Sequence, residues 1–200
     1  MDAPYDRRDT LPRLARAIRA LPPSCGPVRL VAVDGHAGSG KSTFAAGLAA
    51  ALGGAPVLHL DDLATHEEHF GWAGRLRSQV LEPFGRGEPA RYGVYDWHRR
   101  AFTGTRELPA ADVVLVEGVG AGRRAVRPHT ALLLWMEYEQ QSAWERGRLR
   151  DGPAQHPFWE AWMPGEREHF AADPSRPYAD LLVFQDESGY WTAPGPAVAA

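Results

Sequence analysis

Gly35-His36-Ala37-Gly38-Ser39-Gly40-Lys41-Ser42 decides the fold, because it fits the pattern G-x-x-x-x-G-K-[ST] at every fixed position. The run before it, 28–33, is β-branched and apolar, as in a buried parallel strand. The run after it, 42–52, is rich in Ala and Leu and is typical of a helix. Glycines let the backbone wrap around an anion, and the helix N-terminus adds partial positive charge. The sequence therefore predicts a phosphate-binding loop of the Walker A type.

This predicted loop assigns roles to its residues. Lys41 is expected to reach the β and γ oxygens of a nucleoside triphosphate, and the Ser42 hydroxyl is expected to hold Mg²⁺. Guanine-recognition motifs of the Asn-Lys-x-Asp type are absent from the chain, so ATP is favoured over GTP. We expect ATP and Mg²⁺ as cofactors, with the nucleotide bound by Gly35, His36, Ala37, Gly38, Ser39, Gly40, Lys41, Ser42 and Thr43.

Further apolar runs predict the rest of the sheet. They are too continuous for strands with one face in water, and helical segments separate them. This alternation predicts an α/β fold with a doubly wound, mostly parallel five-stranded sheet flanked by helices. The runs lie at 57–60, 113–116, 131–135 and 179–184, in addition to 28–33.

One domain with a mobile insert is expected from a chain of 200 residues. We predict an N-terminal helix and linker at 1–27, packed on a P-loop domain at 28–193. Within that domain we expect an acceptor-binding insert at about 64–110 and a mobile lid at about 146–165. The Ala-, Pro- and Gly-rich segment 194–200 is expected to be a flexible tail.

The bulk composition excludes several classes of partner. The net charge is −3, with dispersed Arg and a single Lys, so no nucleic-acid or anionic membrane surface is indicated. Cys25 is the only cysteine and cannot form an internal disulfide. No apolar run approaches the roughly 20 residues of a membrane span, and no signal peptide is evident. We expect a cytoplasmic protein with phosphate-bearing ligands.

Acidic residues follow two of the predicted strands. Open α/β sheets bind ligands at the carboxyl ends of their strands, where Asp61-Asp62 and Glu117 are placed. Phosphoryl transfer to an alcohol needs a base for the hydroxyl proton and Mg²⁺ to offset charge. Asp61 is suited to be that base, and Glu117 to face the metal directly or through water. The alternative for Asp61-Asp62 is a turn or helix cap.

Two further clusters leave alternatives open. Arg146, Arg148 and Arg150 form either a solvated helix face or a lid whose guanidiniums close over phosphates. The aromatic and polar segment 92–100 suits a planar ring and a sugar, or else is a packed hairpin. The segment 66–69, His-Glu-Glu-His, lacks the spacing of the H-E-x-x-H zinc motif, so a solvated turn is favoured.

Over about 28–183 the chain resembles the uridine kinase group of P-loop kinases, which also includes phosphoribulokinase and bacterial pantothenate kinase. Besides the loop, the apolar strand 113–116 ending in Glu117-Gly118 is similar to that group. Four more segments carry the resemblance: Leu60-Asp61-Asp62-Leu63, Tyr95-Asp96-Trp97, Arg150-Asp151 and Tyr178-Ala179-Asp180.

The resemblance implies an ATP-dependent kinase acting on a hydroxyl of a nucleoside-like small molecule. It implies Lys41, Asp61, Arg146 and Arg150 as catalytic residues, and Ser42, Asp61 and Glu117 around Mg²⁺. The acceptor is expected to contact Asp61, Tyr95, Asp96, Trp97, Arg100 and Glu117. Members of the group are often oligomeric, and the sequence leaves a homo-oligomer open because no exposed apolar stripe fixes a symmetry.

The acceptor motifs depart from the group's pattern. Phe70-Gly71-Trp72 lacks the acid of the group's Phe-Asp-x-Pro segment, and Arg100 stands where the group has an acceptor-binding His, with His98 out of register. The loop with its preceding Asp34 is also similar to cytidylate kinase, so a nucleoside monophosphate kinase is an alternative. Arg75, Arg91, Arg99 and Arg100 would then grip the acceptor phosphate. A third alternative is an ATP-binding switch or accessory protein without transfer activity.

Overall fold

A central sheet organises the chain, of which the computed structural model describes residues 9–198. The strands are β1 Arg29–Asp34, β2 Val57–His59, β3 Ala90–Asp96, β4 Ala101–Leu108, β5 Val113–Glu117, β6 Leu132–Met136, β7 Leu181–Asp186 and β8 Gly189–Pro194. Six of them form the sheet, in the order β2-β5-β1-β6-β7-β8, and β3 pairs only with β4. The first five strands of that order run parallel, and β8 is antiparallel to β7. The predicted mostly parallel α/β sheet is confirmed.

The predicted number of five strands was wrong, because β8 adds a sixth. A tight turn closed by the N–H of Ser188 on Asp186 Oδ1 returns the chain antiparallel to β7. Across the pair, Trp191 stacks on Phe184 with ring centroids 5.2 Å apart. Cross-strand aromatic pairs of this kind stabilise a hairpin. The strand was not predicted because it is too short to show a clear alternation in the sequence.

Helices cover both faces of the sheet. They are α1 Thr10–Ala20, α2 Lys41–Ala51, α3 Ala73–Leu76, α4 Glu82–Gly85, α5 Gln140–Asp151 and α6 His156–Ala172. A π-helical turn at Arg77–Leu81 joins α3 to α4. Alternate residues of β1 face opposite layers, as the strand pleat requires. Val31 and Val33 pack in the layer of α1 and α2, whereas Leu30 and Ala32 pack in the layer of α3 and α4.

A β-hairpin, β3 with β4, stands apart from the main sheet within the predicted insert. The pairing is antiparallel with an irregularity between Val94 and Tyr95. Arg106 Nη1 donates to Asp62 Oδ2 at 2.9 Å, and the Tyr92 hydroxyl donates to the same oxygen at 3.4 Å. These bonds fix the hairpin to the segment that follows β2, so the insert lies over the carboxyl end of the sheet.

The C-terminal segment hydrogen-bonds to the entry of β7. The N–H of Gly195 donates to the Asp180 carbonyl at 2.7 Å, and the N–H of Ala197 donates to the Ala179 carbonyl at 3.2 Å. Residues 199–200 of the predicted tail, and residues 1–8 of the predicted N-terminal segment, lie outside the described residues. Within 9–198, no helix is both long enough and apolar enough to span a membrane.

Candidate active site

The glycine-rich loop joins β1 to α2 at the carboxyl end of the sheet. Gly38 and Gly40 have φ of 84° and 95°, which favour glycine. A Cβ on Gly38 would lie 1.9 Å from the carbonyl oxygen of Ala143 in α5. The backbone conformation therefore requires glycine at positions 38 and 40, and the close approach of α5 also requires it at position 38.

Several backbone N–H groups of this loop and of the α2 N-terminus are available to a ligand. Among residues 9–198, the N–H groups of Gly38, Gly40 and the first three residues of α2 have no protein acceptor. The α2 N-terminus adds partial positive charge at the same place. Lys41 is 7% exposed, and its Nζ donates to the His36 carbonyl at 2.9 Å. Such an arrangement fits the phosphates of a nucleotide.

A carboxylate cluster lies beside the loop where β5 and β2 end. Glu117 Oε1 accepts from the Ser42 hydroxyl at 3.1 Å and is 2.5 Å from His59 Nδ1. The hydrogen bond to Glu117 raises the pKa of His59, outweighing the opposite effect of burial. Glu117 is 5% exposed. The structure thus brings Ser42 and Glu117, two of the predicted Mg²⁺ ligands, into direct contact.

Asp61 follows His59 in a 3-10 turn, Leu60–Asp62. Asp61 is an exposed residue, although the protein atoms packed around its carboxyl group partly desolvate it. This desolvation raises the pKa of Asp61, and the negative charge of Glu117 raises it further, while the charge of Lys41 opposes both. A carboxyl with a raised pKa is a better proton acceptor than an ordinary aspartate.

The oxygens of this cluster suit a hard cation. Ser42, Asp61 and Glu117 offer hydroxyl and carboxylate oxygens, the ligands that Mg²⁺ prefers. Within the described chain, no group of three or more His, Cys, Asp or Glu side chains is arranged to hold a metal ion by itself. Mg²⁺ in kinase sites usually combines one or two carboxylates with substrate phosphates and water, so this donor set fits.

Asp34 anchors the start of the loop from within the core. Its carboxylate is fully buried and accepts from the N–H groups of Gly35, Gly120 and Gly122 at 2.7, 2.9 and 2.8 Å. Burial raises the pKa of Asp34, and the nearby Ser175 hydroxyl together with the three backbone N–H groups partly offsets that effect. Asp34 therefore connects the end of β1 to the segment that follows β5.

Two of the three predicted lid arginines, Arg146 and Arg150, occupy different places. Arg146 lies at the loop, because a Cβ on Gly40 would be 3.7 and 3.8 Å from its Nη1 and Nη2 nitrogens. Arg150 forms an ion pair with Asp151, with Nε to Oδ1 at 2.7 Å, and its charge also acts on Asp61. Arg146 is thus the lid arginine nearer to the predicted phosphate position.

An open cavity of about 700 Å³ lies between the hairpin and the lid. From the insert it is lined by His66, His69, Trp97, His98 and Arg100, and from the lid by Asp151, Gln155, Pro157, Phe158 and Ala161. Trp97 Nε1 donates to the Asp61 backbone carbonyl at 3.1 Å, so a residue of the cavity wall contacts the backbone of the predicted base. The Asp61 side chain is not among the residues that line the cavity. The rings of Trp97 and Phe158 meet edge to face at 6.0 Å.

Tyr95 and Asp96, which were predicted to contact the acceptor, are not among the residues that line this cavity. Tyr95 is 5% exposed, and its hydroxyl is 3.0 Å from His66 Nδ1. Asp96 Oδ1 accepts from the N–H groups of His98 and Arg99, closing the hairpin turn. Both residues support neighbours that line the cavity.

Sequence reasoning missed His59 and Glu166. His59 pairs in register with Glu117 at the ends of neighbouring parallel strands, so its place at the end of an apolar run was an available signal. Glu166 of α6 accepts from the Ala37 N–H at 3.2 Å and lies 2.8 Å from His36 Nδ1. No local pattern points to that contact, because about 130 residues separate the partners.

Comparison with known proteins gives structural likeness only. No protein-family model and no curated protein sequence matches the chain. A solved structure of a possible uridine kinase from Bacillus stearothermophilus is similar with a TM-score of 0.59 and 20% sequence identity, over 89% of this chain and 98% of that one. A candidate fructose transport system kinase from Silicibacter sp. TM1040 has a TM-score of 0.49 and 26% identity, over 68% of this chain and 79% of that one.

The first of these likenesses extends over nearly all of both chains. At 20% identity it bears on architecture, which agrees with the sheet order and with the loop between β1 and α2. The chain therefore has the α/β fold of the P-loop kinases of the uridine kinase type.

Proposed function

We propose that the protein is a kinase that transfers the γ-phosphoryl group of ATP to a hydroxyl of a nucleoside-like small molecule. One observation carries this proposal. Asp61 has a raised pKa, to which the charge of Glu117 in the Glu117–Ser42 cluster contributes. Its backbone carbonyl accepts a hydrogen bond from Trp97, a residue of the cavity wall. A base placed between an acceptor cavity and a phosphate-binding loop is the arrangement that in-line transfer to an alcohol needs.

The residues of the chain have separate tasks in this reaction. The loop N–H groups and Lys41 bind the triphosphate, while Ser42, Asp61 and Glu117 would hold Mg²⁺. Bound Mg·ATP supplies the phosphoryl group and offsets its charge. Asp61 accepts the hydroxyl proton as the acceptor oxygen bonds to the γ-phosphorus, and the bond from that phosphorus to the bridging oxygen breaks to release ADP. Arg146 stabilises the migrating charge.

The cavity supports an acceptor with a planar ring. Trp97, Phe158 and His69 present aromatic surface, and Arg100 with His98 offers hydrogen-bond donors. A volume of about 700 Å³ lies within the range of small-molecule pockets and accommodates a nucleoside. Trp97 and Arg100 are therefore our proposed acceptor contacts. Tyr95 and Asp96 would help to hold the residues that line the cavity in place.

The test is an ADP-release assay across nucleosides, nucleoside monophosphates, pantothenate and other alcohols. We expect acceptor-dependent ADP with at least one nucleoside-like alcohol. Asp61→Asn should lower kcat by about a hundredfold or more, because it removes the base, while Kd for ATP changes little. Asp62→Asn is the matched control, since this neighbouring carboxylate binds Arg106 of the hairpin. ADP release that no acceptor increases would contradict the proposal.

A nucleoside monophosphate is the second candidate acceptor, favoured by Arg100 in the cavity wall. Arg100 also pairs with Glu67 at the surface, with Nη2 to Oε1 at 3.4 Å. The other three arginines considered for a phosphate grip have partners within the protein as well. Arg75 donates to the Leu63 carbonyl and to Glu68, Arg91 to Thr105, and Arg99 pairs with Asp96. In the same assay, preference for monophosphates over nucleosides would select this alternative, and slow hydrolysis alone would select an ATP-binding switch.

A further inference from the structure

A buried carboxylate from the lid helix contacts the phosphate-binding loop. Glu166 in α6 is 0% exposed, and its oxygens bind the Ala37 N–H at 3.2 Å, His36 Nδ1 at 2.8 Å and Trp162 Nε1 at 2.7 Å. Burying a carboxylate is costly unless such partners satisfy it. Over residues 9–198, no arginine or lysine lies within ion-pair distance of Glu166. The group is therefore held by the loop and by its own helix.

The surroundings of Glu166 favour its ionised form. Burial alone would raise its pKa, but the hydrogen bonds from His36 and Trp162 and the charge of Lys41 outweigh burial, so the net pKa is lowered. A charged carboxylate accepts stronger hydrogen bonds than a neutral group does. The contact between Glu166 and the loop is therefore stronger than a contact between two neutral polar groups.

His36 transmits this contact to Lys41. The His36 ring meets Trp135 and Phe170 edge to face, each at 5.3 Å, and Gln140 Nε2 is 3.4 Å from Nδ1. With its ring fixed from several sides, His36 holds its carbonyl oxygen in place. That oxygen accepts from Lys41 Nζ at 2.9 Å. A chain of contacts thus runs from Glu166 through His36 to the only lysine in the protein.

The position of Glu166 on α6 links the contact to lid docking. The buried face of α6 consists of Trp159, Trp162, Glu166 and His169, so one stripe of the helix lies against the body of the protein. Glu166 is the carboxylate of that stripe and the residue that bonds to the loop backbone. Displacing α6 would leave the Ala37 N–H and the His36 ring without this partner.

From these contacts we propose that Glu166 is a positioning residue for nucleotide binding. It holds the start of the phosphate-binding loop in the conformation that places Lys41, and it makes this conformation depend on the docking of α6. The proposal rests on the proposed function only in that the loop binds a nucleotide. By thermodynamic reciprocity, a bound nucleotide must also favour the docked state of α6.

The first test measures nucleotide Kd by calorimetry, with ADP and a non-hydrolysable ATP analogue and no acceptor present. Glu166→Gln should weaken binding by between about tenfold and a hundredfold, because it removes a charged acceptor from three donors. Glu168→Gln is the matched control on the same helix, since Glu168 is exposed, and it should leave Kd unchanged. Equal Kd values for wild type and Glu166→Gln would overturn the proposal.

A second measurement separates positioning from a general loss of stability. Nucleotide should slow hydrogen exchange in 156–172 of the wild type, and should do so much less in Glu166→Gln at the same fractional occupancy. If Glu166→Gln does not fold, His36→Ala tests the contact from the other side and should weaken nucleotide binding similarly. Full affinity in His36→Ala, or nucleotide protection of α6 that is the same in wild type and variant, would contradict the proposal.

These readouts are independent of phosphoryl transfer. Nucleotide Kd and hydrogen exchange need no acceptor, so an absence of acceptor-dependent ADP would end the kinase proposal and leave the role of Glu166 measurable. Conversely, transfer activity with unchanged nucleotide affinity in Glu166→Gln would end the positioning proposal alone.

Discussion

At the scale of single residues, Asp34 and Glu117 end adjacent strands and yet have different surroundings. Asp34 directs both oxygens to backbone N–H groups and is fully buried, so it has no capacity left for a ligand. Glu117 shares one oxygen between Ser42 and His59 beside the open cleft. A carboxylate at a strand end is a candidate metal ligand only when its neighbours leave an oxygen accessible.

His169 gives the protein a pH-dependent stability. Burial lowers the pKa of His169, and the positive charge of Arg123 lowers it further. The neutral ring is thus favoured in the folded state, and the unfolded chain binds more protons between the lowered pKa and 6.5, the ordinary histidine value. The contribution of His169 to the free energy of unfolding should therefore be largest above that window and should decrease as pH falls through it.

This prediction is checked by urea unfolding between about pH 5 and about pH 7.5. His169→Gln should flatten the pH dependence, because the titrating ring is gone. His156→Gln replaces an exposed histidine at the start of the same helix and should keep the wild-type slope. A slope that is the same in all three proteins would assign the effect to other groups.

At the scale of elements, α5 and the loop touch through a pair of glycines. A Cβ on Gly147 would lie 2.4 Å from Trp159 Cη2 and 3.5 Å from the Gly38 Cα atom. Gly147→Ala should force α5 away from α6 and the loop. We expect a loss of about 1–3 kcal/mol in the free energy of unfolding, together with weaker nucleotide binding, because α5 also carries Arg146.

The control for this substitution is Gly74→Ala in α3. No atom lies within 4 Å of the position that its Cβ would take. Alanine in an open helical position should be neutral or stabilise by up to about 1 kcal/mol. Chemical denaturation of both variants, with nucleotide titrations at the same temperature, distinguishes the steric effect from a general effect of helical glycines. A Gly147→Ala protein as stable as wild type would contradict the packing argument.

Elements that follow from local chemistry were predictable from the sequence. The loop follows from its fixed glycine spacing, and β1, β5 and β6 follow from continuous apolar runs. A packed hairpin was one of the two alternatives for the segment 92–100, and β3 and β4 form a hairpin there. The contact between Glu166 and His36 was not predictable, because it depends on how α6 packs rather than on any pattern near either residue. Strand β8 was missed because its pairing is stabilised by contacts with β7, such as that of Trp191 with Phe184, rather than by a pattern within β8 itself.

At the scale of the whole molecule, the site is assembled from three parts of the chain. The core supplies the loop and Glu117, the insert supplies Trp97, and the lid supplies Arg146. A ligand that binds this assembled state must stabilise the folded chain. At free Mg·nucleotide of about 100 times Kd, we expect about 2.7 kcal/mol, or roughly 5–10 °C in Tm for a chain of this size.

Differential scanning fluorimetry with increasing Mg·ADP measures this shift. Lys41→Ala should remove most of it, since the lysine and the loop N–H groups bind the same phosphates. Mg²⁺ without nucleotide is the control for a general salt effect. A shift of equal size in wild type and Lys41→Ala would mean that the nucleotide binds elsewhere on the protein.

The presence of one lysine in 200 residues also makes this protein open to selective covalent labelling. Apart from the terminal amine, Lys41 is the only primary amine that an acylating or aldehyde reagent can modify. It is 7% exposed and donates to the His36 carbonyl, so its acylation rate measures how often the amine leaves that oxygen. A single mass increment on one tryptic peptide thus reports loop opening, and its suppression by nucleotide gives occupancy without an engineered probe.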